Sequence, residues 1–304
     1  MRRLSEISTR FKVIDVIVNL FLSFVLAVIK VGRKLFINHS DKILVVAFHK
    51  LGDSIFSSYA IREIVNYYGN ENVKIVCDRE YEILFKEIFP SVELVLISRE
   101  DFLWNGRIAN RRIRKAISSN KYKIVFDLTG SILSCSLLIG VTAKKIVGMN
   151  LRHLKNFYDK YIPSRAIPHL TDRYLDIVEL EIKINRDKIK REYDLNLNSV
   201  GEILIHPFAG WKAKEWNLSK FIQLAEKIKV EYRVKIIFFK NTISEDIINE
   251  MNYLKINHMS FNSVSELMSI VKGASLLISN DSGPIYLADY YGEIGRASCR
   301  VRVY

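Results

Sequence analysis

The sequence predicts an α/β protein built from two Rossmann-like, doubly wound domains. Short apolar runs recur along the chain with helical stretches between them, as buried parallel strands and their crossover helices require. The alternation stops at a charged connector and then restarts, which marks two domains rather than one. The length of 304 residues also suits two domains. Apolar residues make up 49% and charged residues 26%, so both domains can bury a core, and 13 glycines and 5 prolines leave little room for long linkers.

The first forty residues stand apart. Residues 13–29 read VIDVIVNLFLSFVLAVI. Asp15, Asn19 and Ser23 fall four apart and form one narrow polar stripe on a helix, continued by Lys30 and Lys34. Basic residues flank both ends, and no small-residue cleavage site follows. A spanning helix needs about 20 apolar residues, and this run is shorter and carries an Asp. The expectation for 1–40 is an amphipathic helix lying in the membrane interface with its cations on anionic headgroups. The competing reading is a helix packed on the protein's own surface.

Residues 41–184 form the first expected domain. KILVVAF (42–48) is a buried strand, Gly52-Asp53-Ser54 opens the helix IFSSYAIREIVNYY, and VKIVC, VELVLI, YKIVFDL and KKIVGM are further strands. The pattern stops near residue 150; TDRYLDIVELEIKI (171–184) is a helix, and 185–200 is the connector. The second domain, 201–292, restarts with EILIHP as a strand and SKFIQLAEKIKV as a helix. VKIIFF follows as a strand, then two helices, the strand ASLLIS and a helical segment IYLADYYG. Ligands of such folds bind beyond the strand C-termini, so the cleft between the two halves is the expected site.

The net charge of +13 and a pI of about 9.5 call for an acidic partner: nucleic acid, an anionic membrane surface or a phosphorylated substrate. Apart from Arg111, Arg112, Arg114 and Lys115 on one helix the basic residues are scattered, and no nucleic-acid-binding motif is present, so nucleic acid is excluded as the leading partner. Cys77, Cys135 and Cys299 are far apart with no CxxC, which argues against disulfides and zinc and fits a reducing compartment. The six histidines form no metal-ligand cluster.

Three segments together resemble family 9 of the glycosyltransferases, the ADP-heptose:lipopolysaccharide heptosyltransferases. They are KILVVAFHKLGDSIFSSYAIREI, ILIHPFAGWKAKEWNLSKFIQLAEKI with its Lys-x-Trp, and LISNDSGPIYLADYYG; FDLTGSILSCSL and PHLTDRYLDIVEL match more weakly. The resemblance runs over residues 42–292 in the family's order. It implies a GT-B fold and an inverting, metal-independent sugar transfer with no cofactor, the donor being an ADP-sugar and the acceptor an anionic lipid-linked glycan of the lipopolysaccharide core. It places the protein in the cytoplasm, peripheral to the inner face of the inner membrane.

The same residues carry chemistry of their own. Asp53, at a helix start just after the first strand, is either an N-terminal cap or the general base that takes the acceptor hydroxyl's proton; the matching Gly52-Asp53 favours the base. Lys214, in WKAKEW, is a solvated loop lysine or the cation that neutralises the leaving diphosphate, and the resemblance favours the latter. Lys212 is a weaker alternative for that role. Trp216 reads as packing. Asp281, Ser282 and Gly283 lie between a strand and a helix N-terminus, which both caps the helix and suits phosphate binding. Many family members have His three residues after this Gly; here the position is Tyr286, which can donate a hydrogen bond but carries no charge. Glu245 is a candidate for the nucleotide ribose. Asp127 and Gly130 either hold the acceptor or support the Asp53 loop, and Arg152 is a candidate for an anionic acceptor or for solvated surface. His206 reads as structural.

After Gly292 the family pattern gives way to EIGRASCRVRVY, which has no helical or strand periodicity. Residues 293–304 are expected to be a non-native tail on a truncated second domain. Three other functions stay open beside heptose transfer: transfer of another nucleotide-sugar to a surface glycan, a catalytically silent membrane-associated nucleotide-sugar binder, and a nucleotide-sugar epimerase of similar fold.

Overall fold

The structure is a computed structural model, which describes residues 24–34, 40–103, 108–150, 152–163, 170–189, 201–292 and 296–298. The chain divides into two compact units: Met1–His49 with Phe56–Asn185, and Lys50–Ile55 with Arg186–Tyr304. The start of one helix therefore groups with the second unit.

The first unit is built on a six-stranded sheet of β1 (Ile43–Ala47), β2 (Val73–Asp78), β3 (Glu93–Ile97), β6 (Lys121–Asp127), β7 (Thr142–Asn150) and β8 (Lys160–Pro163). A small antiparallel pair, β4 (Phe102–Leu103) and β5 (Ile108–Ala109), lies apart from it. The sheet order is β3-β2-β1-β6-β7-β8 and every pairing is parallel. Order therefore reverses between β1 and β6, which defines a topological switch point. All five residues of β1 are buried, because helices cover both faces of a parallel sheet.

α1 (24–32) turns Leu26 into the first core and leaves Phe24, Ala27, Val28 and Val31 exposed on the opposite face. α2 (Leu51–Tyr68) follows β1. The basic run forms α4 (Arg111–Ser118), whose Asn110 cap accepts a hydrogen bond from the Ile113 N–H at 3.0 Å.

Three expectations for this half are corrected. The sheet does not stop near residue 150, because β8 extends it. The helix expected over 171–184 is α6 (Leu170–Val178), and the chain then turns. The strand expected over 144–149 runs from 142 to 150. β8 escaped notice because it is a four-residue edge strand, exposed or half-buried throughout, without an apolar run.

The second unit has the parallel sheet β11 (Asn257–Phe261), β10 (Val234–Phe239), β9 (Glu202–His206), β12 (Ala274–Ser279) and β13 (Arg296–Ser298), in that spatial order. Its switch point lies between β9 and β12. Two strands here were not expected. β11, NHMSF, is a mostly exposed edge strand, and its alternation is too weak to read. β13 falls inside the tail for which no periodicity was found; residues 296–298 pair in parallel with Leu277–Ser279. Of the remaining expectations, those on residues 1–23, 190–200, 293–295 and 299–304 lie outside the described residues.

Candidate active site

The loops at the first sheet's switch point lead to Gly52 and Asp53 after β1 and to Gly130 after β6. After β1 the chain passes His49 and Gly52 to Asp53, in the first turn of α2 and half-buried. After β6 it turns through Thr129 and Gly130 into α5 (Ile132–Leu138). The two loops are tied together: the Phe48 N–H donates to Thr129 Oγ1 at 3.0 Å, and the Leu128 N–H donates to the Val46 carbonyl at 2.9 Å.

Asp127, the last residue of β6, has no exposed surface. One carboxylate oxygen accepts from the Thr129 and Gly130 N–H groups at 3.1 and 3.0 Å. The other accepts from the Ser134 hydroxyl at 2.8 Å and the Tyr158 hydroxyl at 2.7 Å. Burial pushes its pKa up, and these four donors oppose the shift without cancelling it. Tyr158 can approach because residue 148 is glycine: a Cβ there would sit 2.6 Å from the Tyr158 ring. Gly130 adopts φ +56°, which suits a residue without Cβ. The arrangement orders the loop after β6. Substituting Asp127 with alanine strands several donors in the core, and a loss of about 3–5 kcal/mol in urea unfolding is expected, most of it restored by asparagine.

His49 received no role from the sequence, and its signal would have been its place four residues before Asp53. It packs on Tyr174 with ring centroids 5.2 Å apart. Its Nε2 is buried with no hydrogen-bond partner among the described residues, and burial lowers its pKa to about 4, so the ring is neutral at pH 7. Arg152 opens the short turn Arg152–Phe157 after β7, and its side chain is outside the described residues.

In the second unit the switch-point loops follow β9 and β12. Lys214 closes a single turn of 3-10 helix, Lys212–Lys214, in the loop after β9. Its ammonium lies 2.7 Å from an Asp281 carboxylate oxygen and 5.1 Å from the ring centre of Trp211, a cation–π contact. Tyr286 donates its hydroxyl to the other Asp281 oxygen at 2.5 Å. Asp281 thus accepts from both a cation and a hydroxyl. Asn280, fully buried, fixes both loops: its amide donates to the Pro207 carbonyl at 2.6 Å and its oxygen accepts from the Trp216 N–H at 2.9 Å. No sequence signal singled it out beyond its place beside Asp281. Trp216 packs edge-on against Phe221 at 4.9 Å.

Ser282 holds the N-cap position of α10 (Gly283–Tyr291) without a side-chain capping hydrogen bond, with Pro284 in the first turn and Gly292 at φ +72° ending the helix. Segment 50–55 packs against this turn. A Cβ at Gly52 would meet the Tyr286 ring at 2.8 Å, and one at Gly283 would meet Leu51 at 3.0 Å. The glycines of both motifs are therefore places of close approach, and Gly52 and Asp281 are linked through Tyr286. Glu245 is exposed in the first turn of α8 (Glu245–Tyr253), which follows β10 at the same end of the sheet. Among the described residues no three His, Cys, Asp or Glu side chains group to hold a metal ion.

His206, the last residue of β9, is buried, and its Nδ1 lies 3.4 Å from the Ser282 hydroxyl. Burial lowers its pKa to about 4. The unfolded chain takes up this proton near pH 6.5, before the folded protein does, so stability declines as pH falls from 6.5 towards 4. His206 alone accounts for a loss on the order of 3 kcal/mol, and His49 acts in the same direction. Thermal melts between pH 7.5 and 4.5 should show this slope, and His206→Gln should flatten it.

Residues 110–290 match the family model for glycosyltransferase family 9 (heptosyltransferase). The chain belongs to glycosyltransferase family 9. It is 19% identical over 278 residues to the lipopolysaccharide core heptosyltransferase OpsX of Haemophilus influenzae, covering 85% of this chain and 78% of that one. It is 22% identical to lipooligosaccharide heptosyltransferase 2 of Campylobacter jejuni, over 79% and 76% of the two chains. Among solved structures it resembles the E. coli heptosyltransferase WaaC with ADP-2-deoxy-2-fluoro heptose, with a TM-score of 0.64, 15% identity and coverage of 86% and 93%. A family 9 glycosyltransferase from Veillonella parvula gives the same TM-score at 18% identity, covering 86% of this chain and 82% of that one. The fold is accordingly of GT-B type, and this family 9 member is a glycosyltransferase.

Proposed function

We propose that this family 9 enzyme transfers heptose from ADP-heptose to the phosphate-bearing core of a lipid-anchored lipopolysaccharide acceptor, with inversion and without a metal. Asp53 takes the proton of the acceptor hydroxyl as its oxygen attacks the anomeric carbon. The bond from that carbon to the diphosphate oxygen breaks, and Lys214 offsets the negative charge that ADP gains on leaving. Asp281, Ser282, Gly283, Tyr286 and Glu245 face the donor; Gly52, Asp127, Gly130 and Arg152 hold the acceptor or support the base.

The observation that carries this reading is the pair of loops at the second switch point, which bring Lys214 and Asp281 together inside the family match. A lysine and a helix N-terminus at one strand end suit a diphosphate. The ADP-2-deoxy-2-fluoro heptose held by the similar E. coli WaaC structure agrees with it. The enzyme works at the cytoplasmic face of the inner membrane. The exposed apolar side chains of α1 support that placement, while no described helix is long and apolar enough to cross a membrane.

Calorimetric titration with ADP-heptose, UDP-glucose and GDP-mannose tests the donor. Selective ADP-heptose binding is expected, with ADP released only when a core acceptor is added. Preference for another nucleotide would move the enzyme to a different surface glycan. Tyr286 is the observation that favours this second reading, since a neutral hydroxyl, bound to Asp281, stands where many family members have His. Donor binding without ADP release under any acceptor would leave a silent binding protein.

A further inference from the structure

A polar cavity lies towards the end of the first sheet opposite to the Asp127 loop. It holds about 1100 Å³ and is lined by six lysines: Lys30, Lys34, Lys123, Lys144, Lys145 and Lys160. They come from the C-terminal end of α1 and from the starts of β6, β7 and β8. Along β6 the lining residue Lys123 lies four residues before Asp127, about 13 Å at ~3.3 Å per residue.

The charges there do not balance. Among the described residues only Asp41 and Asp159 line the cavity with opposite sign. Asp159 is occupied by three cations: it pairs with Arg33, lies 2.6 Å from Lys34 and 3.8 Å from Lys30. Burial pushes the Asp159 carboxyl up, but Lys34, the Ile146 N–H and Arg33 outweigh it and hold its pKa below the ordinary value. Lys145 and Lys160 share Glu181, each at 2.9 Å. Lys123 is 3.9 Å from Asp41, and Lys144 forms no ion pair among the described residues. Counting Arg33 and Glu181, seven cations face three carboxylates.

α1 ties this cavity to an apolar surface. Its inward side carries Leu26, Ile29 and Arg33, and Arg33 also donates to the Phe157 carbonyl at 2.7 Å. Its outward side carries Phe24, Ala27, Val28 and Val31, at helical spacings of three and four, with Phe24 68% and Val31 61% exposed. Lys30 and Lys34 lie along the edge between this stripe and the cavity. Apolar side chains next to an unbalanced cluster of lysines are what a surface with acyl chains beneath phosphates requires.

We infer that this lysine cavity is a headgroup site for anionic phospholipid, which docks the first unit on a bilayer while Phe24, Val28 and Val31 enter the acyl boundary. The inference deepens the membrane placement proposed above and rests on it. It assigns the docking contacts to this end of the sheet, away from the proposed chemistry.

Flotation of the full chain with vesicles of phosphatidylcholine, with and without 30% phosphatidylglycerol, tests it, with calorimetric ADP-heptose binding measured on the same proteins. The wild type should bind only the anionic vesicles, and more weakly as salt rises. Lys123→Gln with Lys144→Gln removes two exposed charges that hold no buried partner. Vesicle affinity should fall about 30-fold, from the ~1 kcal/mol that each basic residue contributes at an anionic surface, while donor binding is unchanged. Val28→Ser should weaken binding independently of salt. Equal binding by the double variant and the wild type would overturn the headgroup site. Binding of inorganic pyrophosphate by the wild type, lost in the double variant and unaccompanied by vesicle binding, would reassign the cavity to a soluble anion. Loss of donor binding alone would count against the transferase reading and leave this one standing.

Discussion

Replacing Asp53 with alanine should lower kcat by roughly 10²–10⁴-fold while the affinity for ADP-heptose stays within twofold of wild type. The reaction needs a group that takes a proton from a sugar hydroxyl, and Asp53 is the carboxylate at the first switch point that is half-buried rather than enclosed. Asp127, at the end of β6, is fully buried and already accepts four hydrogen bonds, which suits it to support. Asp53 also sits in the first turn of α2, where a carboxylate stabilises the helix end by about 0.3–1 kcal/mol. Asp53→Asn separates the two roles, since it keeps hydrogen bonding in the helix turn but cannot accept the proton. Single-turnover transfer and a thermal melt on both variants would decide. A variant that melts near wild type and still transfers at a normal rate would remove Asp53 as the base.

Lys214→Ala should lower kcat by roughly 10²–10³-fold, the scale of losing one group that stabilises transition-state charge. The loss should fall mainly on kcat, because the diphosphate is most negative as it departs. Stability should hardly change: the Lys214 side chain is 40% exposed, and an ion pair in that setting contributes at most about 1 kcal/mol. That contrast makes the test sharp. Lys214→Arg should recover part of the rate, since it keeps the charge but not the compact ammonium that lies between Asp281 and Trp211. Steady-state kinetics with ADP release as the readout would show it. A variant with raised KM and unchanged kcat would make Lys214 a donor-binding residue instead of a catalytic one.

The strands that were legible in the sequence are those that carry an apolar run, including the edge strand β3 with its VELVLI. β1, β2 and β10 read as apolar runs because a parallel sheet covered by helices leaves no polar side to dilute them. β8 and β11 are edge strands, exposed over much of their length, and carry no such run. The helix expected to reach residue 184 ends at Val178, as its continuation folds back to place Glu181 between Lys145 and Lys160. At the site, the Gly-Asp and Asp-Ser-Gly motifs were visible as local turns between a strand and a helix. In the structure Gly52 makes room for Tyr286 and Gly283 for Leu51, neighbours that the turn motifs do not name.

The sequence by itself determined the α/β class, the two alternating halves and the strand-end turns that carry Asp53, Lys214 and Asp281, because burial periodicity and turn chemistry are local. Only the tertiary structure decided which of these groups meet. Tyr158 reaches Asp127 across 31 residues, Lys214 reaches Asp281 across 67, and the lysine cavity draws on α1 and three strand starts. Such contacts depend on strand order. Order is set by how crossover helices pack on the sheet, which no window of the chain records.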